Sequence, residues 1–218
     1  MRMIRLDMVD STNDAARRLL AEGRIADRAV LLANGQTAGR GTRGRSWASP
    51  SGAGIYLSIV DPDAARVTPD TALHTLAAGI GCAEVLVERA GVDVRVKPVN
   101  DLVANGGKLG GILTEALVES GRLVAMITGI GINVRRAYRP VEAALRPPIS
   151  LEELMTPDRF AALRQDELID AVVVSVSRWQ RLVTDGRADT VREAAKEWGA
   201  GPSGEDAAEL PLDVRRGQ

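Results

Sequence analysis

The residues best suited to chemistry lie between Gly35 and Val60, in the stretch GQTAGRGTRGRSWASPSGAGIYLSIV. Closely spaced glycines let backbone N–H groups approach an anion, and an arginine offers a planar fork that matches phosphate or carboxylate. Arg40, Arg43 and Arg45 alternate with such glycines. The stretch lacks P-loop spacing and leads into a strand, unlike a dinucleotide fingerprint, which opens a helix. It therefore predicts an anion-binding loop, with a solvated basic turn as the alternative.

A second polar cluster follows in VKPVNDLVANGGKLGGIL, residues 96–113. Lys97, Asn100 and Asp101 come at the end of a predicted strand, and Lys108 lies between a glycine and a buried apolar run. Because a buried strand follows Lys108 directly, the lysine is poorly placed for full solvation, and we expect its side chain to face a binding site. The alternatives are a lysine that protects a hairpin edge from aggregation and an Asx turn at the Asn-Asp pair.

Composition limits the kind of protein. The 218 residues are 45% hydrophobic, enough for one sizeable core. Lysine and arginine number 28 against 29 acidic residues, so the global basic field of a nonspecific nucleic-acid binder is absent. Cys82 is the only cysteine and His74 is the only histidine, which excludes an internal disulfide and a multi-Cys/His zinc site. We expect Cys82 to be a buried structural thiol.

Hydrophobic patterning predicts strands and helices that alternate around one mixed sheet, an α/β or α+β fold. Strands are expected at MIRLDMV, AVLLANGQ, GIYLSIV and the start of VDVRVKPVNDLV, and KLGGILTEALVESGRLVAMITGIGINV is expected to form a hairpin with its turn at residues 120–122. Helices are expected from Ser11 or Thr12 to a stop at Gly23, and at 69–90, 157–183 and 188–198. With no signal peptide and no membrane-length apolar run, we expect a cytoplasmic protein with no membrane partner.

The motifs together resemble those of the biotin protein ligases. DSTN, GQTAGRGTRGRSW with SPSGAGIYLS, K..ND followed by GGKLGGIL.E, and GIGINV occur in that family's order and approximate spacing. The resemblance covers about residues 4 to 200. It implies a mixed β-sheet flanked by helices, similar to the class II aminoacyl-tRNA synthetase core. It also implies a catalytic domain over residues 1–199 and a tail over 200–218, with the family's C-terminal barrel absent or vestigial and no DNA-binding domain.

The chemistry implied by the resemblance is a two-step acyl-adenylate reaction. Biotin and ATP are the substrates, used with Mg²⁺, and they give biotinyl-5′-AMP and pyrophosphate. A lysine of a biotin carboxyl carrier protein domain then accepts the biotin. The resemblance further implies that the chain could form a homodimer and binds no nucleic acid.

The resemblance also assigns roles to residues of this chain. Arg40 and Lys108 are expected to be catalytic, since cations must offset the repulsion between carboxylate and phosphate. The residues expected to bind biotin are Ser11, Thr12, Gln36, Gly39, Arg40, Lys108 and Gly110. The residues expected to bind the nucleotide are Arg43, Trp47, Lys97, Asn100, Asp101 and Asn133. No residue is expected to ligate a metal directly, with Asp101 as an indirect contact to Mg²⁺.

Two departures from the family pattern keep other functions open. The family loop commonly reads GRGRxGR, whereas Thr42 stands here in place of the second arginine, which should weaken retention of the adenylate. The family KWPND reads KPVND here, so Pro98 follows Lys97 and the tryptophan is missing. A non-catalytic biotin-binding or adenylate-binding relative is therefore one alternative. A ligase for lipoate or another carboxylic acid is a second, although its RRxSGG-type motif is not visible.

Overall fold

The computed structural model describes residues 1–62, 69–98, 100–119, 122–137, 146–199 and 213–216. The strands of this part of the chain are β1 (Arg2–Val9), β2 (Ala29–Gln36), β3 (Gly54–Asp61), β4 (Arg95–Lys97), β5 (Asp101–Ala104), β6 (Gly107–Glu119), β7 (Arg122–Asn133) and β8 (Asp213–Arg216). Its helices are α1 (Thr12–Ala21), α2 (Leu73–Val85), α3 (Leu151–Leu154), α4 (Pro157–Ala162), α5 (Gln165–Thr184) and α6 (Ala188–Trp198).

The strands form one mixed sheet, as the sequence predicts. Its order is β1-β2-β3-β7-β6-β5-β4. The neighbours are antiparallel except for β1 with β2, and β8 adds a parallel strand beside β6. β5 pairs with β6 over Gly107–Gly111 and β8 pairs with it over Glu115–Val118. The long strands β6 and β7 therefore run through the middle of the sheet.

The two faces of the sheet pack against different partners. Successive side chains on a strand point to opposite faces. Val30 and Leu32 of β2 belong to the large apolar core with α2, α5 and α6, whereas Leu31 between them belongs to a smaller cluster with α1. We call these the helical face and the open face. The open face is only partly covered by α1.

Helix α2 is the central helix of the core on the helical face. A 3-10 turn at Pro69–Ala72 leads into it, and a π-helical turn at Leu86–Ala90 follows it, so the predicted helix at 69–90 is confirmed. By length and composition Asp70–Ala90 could cross a membrane, but 72% of its apolar window is buried inside the protein, as in a core helix. Cys82 is fully buried, and burial raises the pKa of its thiol, so the prediction of a structural thiol is confirmed.

Other predictions have mixed outcomes. The strands of the β6–β7 hairpin are confirmed, but Ser120 and Gly121 of its expected turn lie outside the described residues. The single helix expected over 157–183 is wrong. Leu163 and Arg164 have extended backbones that separate α4 from α5, and acidic residues in the first turn of α5 favour a new N-terminus there.

A short helix that the sequence analysis missed follows Ser150. The Glu153 carboxylate accepts hydrogen bonds from the Ser150 N–H at 3.0 Å and from its Oγ–H at 2.6 Å, a capping box that starts α3. The S-x-x-E spacing of that box was present in the sequence. At the C-terminal end, the described residues of the tail form the short strand β8. The rest of the tail lies outside the described residues, so the domain boundary at residue 199 stays a prediction.

Candidate active site

A pocket opens on the open face, above β6 and β7 and beneath the loop of residues 37–50, which we call the arginine loop. The residues that line it are Ser11, Thr12, Asn13, Gln36, Arg40, Gly41, Thr42, Arg45, Ser46, Trp47, Ala48, Asn100, Lys108, Gly111, Ile112, Leu113, Gly129, Ile130, Gly131, Asn133, Arg146 and Pro148. Four of the motifs noted in the sequence therefore meet around one cavity.

The arginine loop folds back on itself as a tight hairpin. Arg40 pairs with Ser46 in an antiparallel bridge, and the Trp47 N–H donates to the Gly39 carbonyl at 2.8 Å. Gly39 cannot carry a side chain here, because a Cβ would overlap the Trp47 carbonyl oxygen. Gly39 thus lies behind the pocket wall and shapes the loop, while Arg43 lies exposed at its tip with a left-handed φ of 59°.

Trp47 forms the upper wall of the pocket. Its indole lies so close to Gly131 that a Cβ there would overlap the ring, and a Cβ on Gly111 would be in van der Waals contact with it. The Lys108 ammonium is 5.3 Å from the ring centroid. The indole Nε1 is buried and has no hydrogen-bond partner among the described residues. An acceptor on a ligand would therefore relieve the cost of this unpaired donor, about 1–3 kcal/mol.

Lys108 lies at the floor of the same pocket. Its Nζ is 2.7 Å from Asp101 Oδ1, and its side chain is 22% exposed. Its backbone is held on both sides, by β5 and by the segment after Arg146, where the Lys108 N–H donates to the Pro147 carbonyl at 2.8 Å. The alternative of a lysine at a sheet edge is therefore wrong.

Asn133 at the end of β7 closes the far end of the pocket. It is 1% exposed, and its Nδ2 donates to the carbonyls of Lys108 at 3.2 Å and Ile149 at 3.1 Å. Its Oδ1 is buried and has no partner in the described part of the chain. Asn133 thus fixes three segments and leaves one acceptor to a ligand.

The three polar residues expected at the biotin end do lie together. Gln36 Oε1 accepts from the Thr12 N–H at 2.8 Å, and its Nε2 donates to Ser49 Oγ at 2.6 Å. The Ser11 N–H donates to Asp10 at 2.8 Å, at the start of α1. This network fixes the orientation of the Gln36 amide before any ligand binds.

The sequence analysis missed a buried charged cluster beside these residues. Glu115 on β6 has a side chain that is 2% exposed, and it contacts Arg40, Arg17 and Asn13. Burial alone would raise the pKa of Glu115, yet the hydrogen bonds and charge of Arg40, with Asn13 and Arg17, hold that pKa below its usual value. A carboxylate within an apolar, alternating strand was the signal for this cluster.

The structure also shows which predicted residues lie away from the pocket. Gly39, Gly110, Arg43, Lys97 and Asp101 do not line it, although Asp101 is paired with Lys108. Lys97 is exposed on β4, and Gly110 lies within the sheet, where a Cβ would meet Leu102 and the Gly131 carbonyl. The roles assigned to these residues stay predictions.

Arg45 and Arg146 add positive charge to the pocket. Neither has a carboxylate partner within 4.0 Å among the residues described. Arg45 belongs to the arginine loop, and Arg146 was missed. Among those same residues, no three His, Cys, Asp or Glu side chains group closely enough to hold a metal ion.

Comparison with known proteins gives matches over most of the chain. The model of the biotin/lipoate A/B protein ligase family matches residues 6–133. The chain is 36% identical over 135 residues to the bifunctional ligase/repressor BirA of Bacillus subtilis, a match that covers 60% of this chain and 39% of that protein. It is 30% identical over 224 residues to the biotin–[acetyl-CoA-carboxylase] ligase of Mycobacterium tuberculosis, which covers 96% of this chain and 79% of that protein.

The fold is similar to solved structures as well. The biotin protein ligase from Aquifex aeolicus in complex with biotin and ATP superposes with a TM-score of 0.73 at 25% identity, covering 91% of this chain and 78% of that one. The chain thus spans about two fifths of the Bacillus subtilis relative and about four fifths of the other two proteins.

Proposed function

The chain belongs to the biotin/lipoate A/B protein ligase family, and on this premise we propose that it is an ATP-dependent biotin protein ligase. The observation that carries the proposal is the pocket itself. It brings a lysine, an unpaired indole N–H and an unpaired amide oxygen around a floor lined by glycines. Such a site has donors and acceptors for a flat heterocycle at one end and positive charge for anions at the other.

In the first step, a biotin carboxylate oxygen attacks the α-phosphorus of ATP. The bond from that phosphorus to the bridging oxygen of the β-phosphate breaks, and pyrophosphate leaves. Both reactants are anionic, so a nearby cation must offset their repulsion. We assign this to Lys108, because it lies in the pocket at the junction of the two expected subsites.

The remaining pocket residues divide between the two substrates. Ser11, Thr12 and Gln36 would bind the polar ring of biotin, and Trp47 and Asn133 would contact the nucleotide. Asn100 lines the pocket and would bind the phosphates, whereas Arg43 and Lys97 would reach them only from outside the present lining. Mg²⁺ would enter the pocket bound to the phosphates of ATP. Asp101 is already paired with Lys108, which fits an indirect contact with the ion.

In the second step, the amine of a carrier-protein lysine attacks the acyl carbon of biotinyl-AMP. An amide bond forms, AMP leaves, and the amine loses its proton. The anhydride must be kept from water until then, and the arginine loop is the part of the pocket wall that can close over it. We propose that the acceptor is a biotin carboxyl carrier protein domain and that the reaction takes place in the cytoplasm, with a homodimer as a further expectation.

Biotin-dependent exchange between ATP and radioactive pyrophosphate tests the proposal. We expect exchange with biotin, and none when lipoate or octanoate replaces it. Exchange with lipoate or octanoate alone would assign the chain to another acid. No exchange with any of the three acids, with biotin binding retained in calorimetry, would identify a non-catalytic biotin-binding protein.

A further inference from the structure

Glu115 is a buried carboxylate on β6 that binds two residues of the pocket lining, Arg40 and Asn13. Its oxygens accept hydrogen bonds from Arg40 Nη1 at 2.9 Å and Nη2 at 2.6 Å, and from Asn13 Nδ2 at 2.8 Å. Arg17 Nη2 donates to it at 3.2 Å. A buried carboxylate is stable only when it is paired and hydrogen-bonded. Glu115 therefore depends on an arginine of the arginine loop.

The Arg40 guanidinium in turn contacts two carboxylates, Glu115 and Asp14. Its two Nη atoms bind Glu115, and its Nε lies 3.0 Å from Asp14 Oδ2. The fork that a substrate carboxylate would need is thus filled by Glu115. Arg40 and Arg17 together offset the charges of Glu115 and Asp14, so this cluster presents little net positive charge to a ligand.

The position of Arg40 in the chain makes this pair a structural anchor. Arg40 starts the hairpin of the arginine loop, and its backbone pairs with Ser46. Holding the guanidinium on β6 therefore fixes the base of the loop to the sheet. The exposed tip around Arg43 has no such anchor to the sheet among the described contacts.

We propose that Glu115 is a positioning residue that holds Arg40, and with it the base of the arginine loop, over the pocket, so that Arg40 neutralises Glu115 and does not bind the substrate anion. This inference rests on the proposed function for its kinetic part. The proposal predicts different effects for the loss of Arg40 alone and for the loss of both charges. Removing Arg40 alone leaves Glu115 with its contacts to Arg17 and Asn13 but without its bidentate cation, so its negative charge repels an anionic substrate in the adjacent pocket. Removing both charges relieves that repulsion.

The test compares wild type, Arg40→Gln, Glu115→Gln and the double variant in the exchange assay. We expect Arg40→Gln to raise the KM for biotin by about 30-fold or more, and the double variant to recover at least about fivefold of that loss. Recovery is the result that a purely structural role, or direct binding of biotin by Arg40, would not give. A double variant as defective as Arg40→Gln would overturn the proposal.

A second measurement does not depend on activity. Trypsin must bind several residues around Arg43 in an extended form, which the hairpin closed by Arg40 and Ser46 prevents. The rate of the cut after Arg43, mapped by mass spectrometry, therefore reports opening of that hairpin. We expect faster cleavage in both single variants, and no further increase in the double variant. Arg17→Gln is the matched control, because it removes a contact to Glu115 without touching the loop and should cause a smaller change. Unchanged cleavage in both single variants would refute the anchor.

The two readouts separate the failure of the proposal from that of the function. If wild type shows no exchange with any acid, the proposed function fails, and the cleavage rates still decide whether Glu115 anchors the loop. If Arg40→Gln does not fold, Arg40→Lys keeps the charge and loses the fork. It should then speed cleavage at Arg43 while raising the KM for biotin less than about tenfold.

Discussion

The two faces of the sheet differ in the polarity of the side chains that they bury. On the helical face, α2 and α5 pack against apolar side chains of β3, β6 and β7, such as Leu57 of β3 and Ile112 of β6. On the open face, the same strands line the pocket with glycines and hold Ser58 and Glu115 in a buried polar network beside it. Because adjacent residues of one strand serve the two faces, stability and function are interleaved along the sequence but separated in space.

This difference has an energetic consequence. Apolar burial on the helical face stabilises the fold at about 25 cal/mol per Å². The open face instead buries a carboxylate and leaves the indole Nε1 of Trp47 and the Oδ1 of Asn133 without partners among the described residues. Unpaired buried polar groups cost free energy. We therefore expect changes on the helical face to lower the free energy of unfolding and changes on the open face to lower activity.

The largest expected effect is that of Lys108→Ala on the open face. Loss of the cation that offsets charge in the transition state should lower exchange by about 100- to 1,000-fold. The unfolding midpoint should change little, because Lys108 is partly exposed. The matched control is Lys196→Ala, which removes an exposed lysine on α6, away from the pocket. Full exchange activity in Lys108→Ala would show that its assignment is wrong.

The same substitution at two glycines gives the sharpest comparison of the faces. At Gly81 of α2, a Cβ would lie 2.8 Å from the Val176 backbone of α5. The gain in helix propensity from alanine is about 1 kcal/mol, and overpacking costs about 1–3 kcal/mol. Because backbone atoms on both sides must move, we expect a net loss of about 1–2 kcal/mol in the free energy of unfolding.

At Gly131 the alanine would instead displace the Trp47 ring, which belongs to the arginine loop. The loop can move, so we expect stability to fall by less than about 1 kcal/mol, while the KM for ATP rises about tenfold. Urea unfolding and exchange kinetics on both variants measure the two effects. If Gly131→Ala destabilised the chain more than Gly81→Ala, the separation of the two faces would be wrong.

The sequence predicts the open face well where chemistry depends on local motifs. The arginine loop, Lys108 and Asn133 stand in short glycine-rich patterns, and the structure brings them to one pocket. Glu115 ends the GGKLGGIL.E motif, but its role could not be predicted because that role depends on Arg40, which is 75 residues away in the chain. An acidic residue within an apolar strand indicates that a partner is needed, but a pairing at that separation leaves no local pattern that identifies the partner.

The helical face was predictable from periodicity, with one error. The apolar pattern over 157–183 continues through Leu163, but the backbone there is extended and the helix stops. Leu163 packs against the core from this non-helical position. Hydrophobic periodicity reports burial and does not distinguish a continuous helix from two helices that bury the same face.

A smaller effect on the helical face concerns pH. His74, the only histidine, has its pKa lowered from 6.5 to about 4 by burial and by the charge of Arg28. As pH falls below 6.5 the unfolded chain binds a proton that the folded chain does not, so stability is lost between pH 6.5 and 4. The loss from pH 6.5 to 5.5 should be about 1 kcal/mol in urea unfolding.

His74→Gln should remove most of that pH dependence between 6.5 and 5.5. Exchange activity at pH 7 should stay close to that of wild type, because His74 lies on the helical face. An equal slope in both proteins would mean that His74 binds protons equally in the folded and unfolded chains. The carboxylates with lowered pKa values, such as Asp10 at about 2, lose their contribution at lower pH and do not interfere.

The smallest expected effect tests the open face at Thr42, which lines the pocket where the family pattern has an arginine. With one cation fewer, the adenylate should escape faster. Thr42→Arg should slow the release of free biotinyl-AMP by about two- to fivefold, or about 0.4–1 kcal/mol. Thr42→Gln, which lengthens the side chain without adding charge, is the control. Equal release rates from all three proteins would mean that Arg45 and Arg146 already supply the retaining charge, and that the open face does not depend on this position.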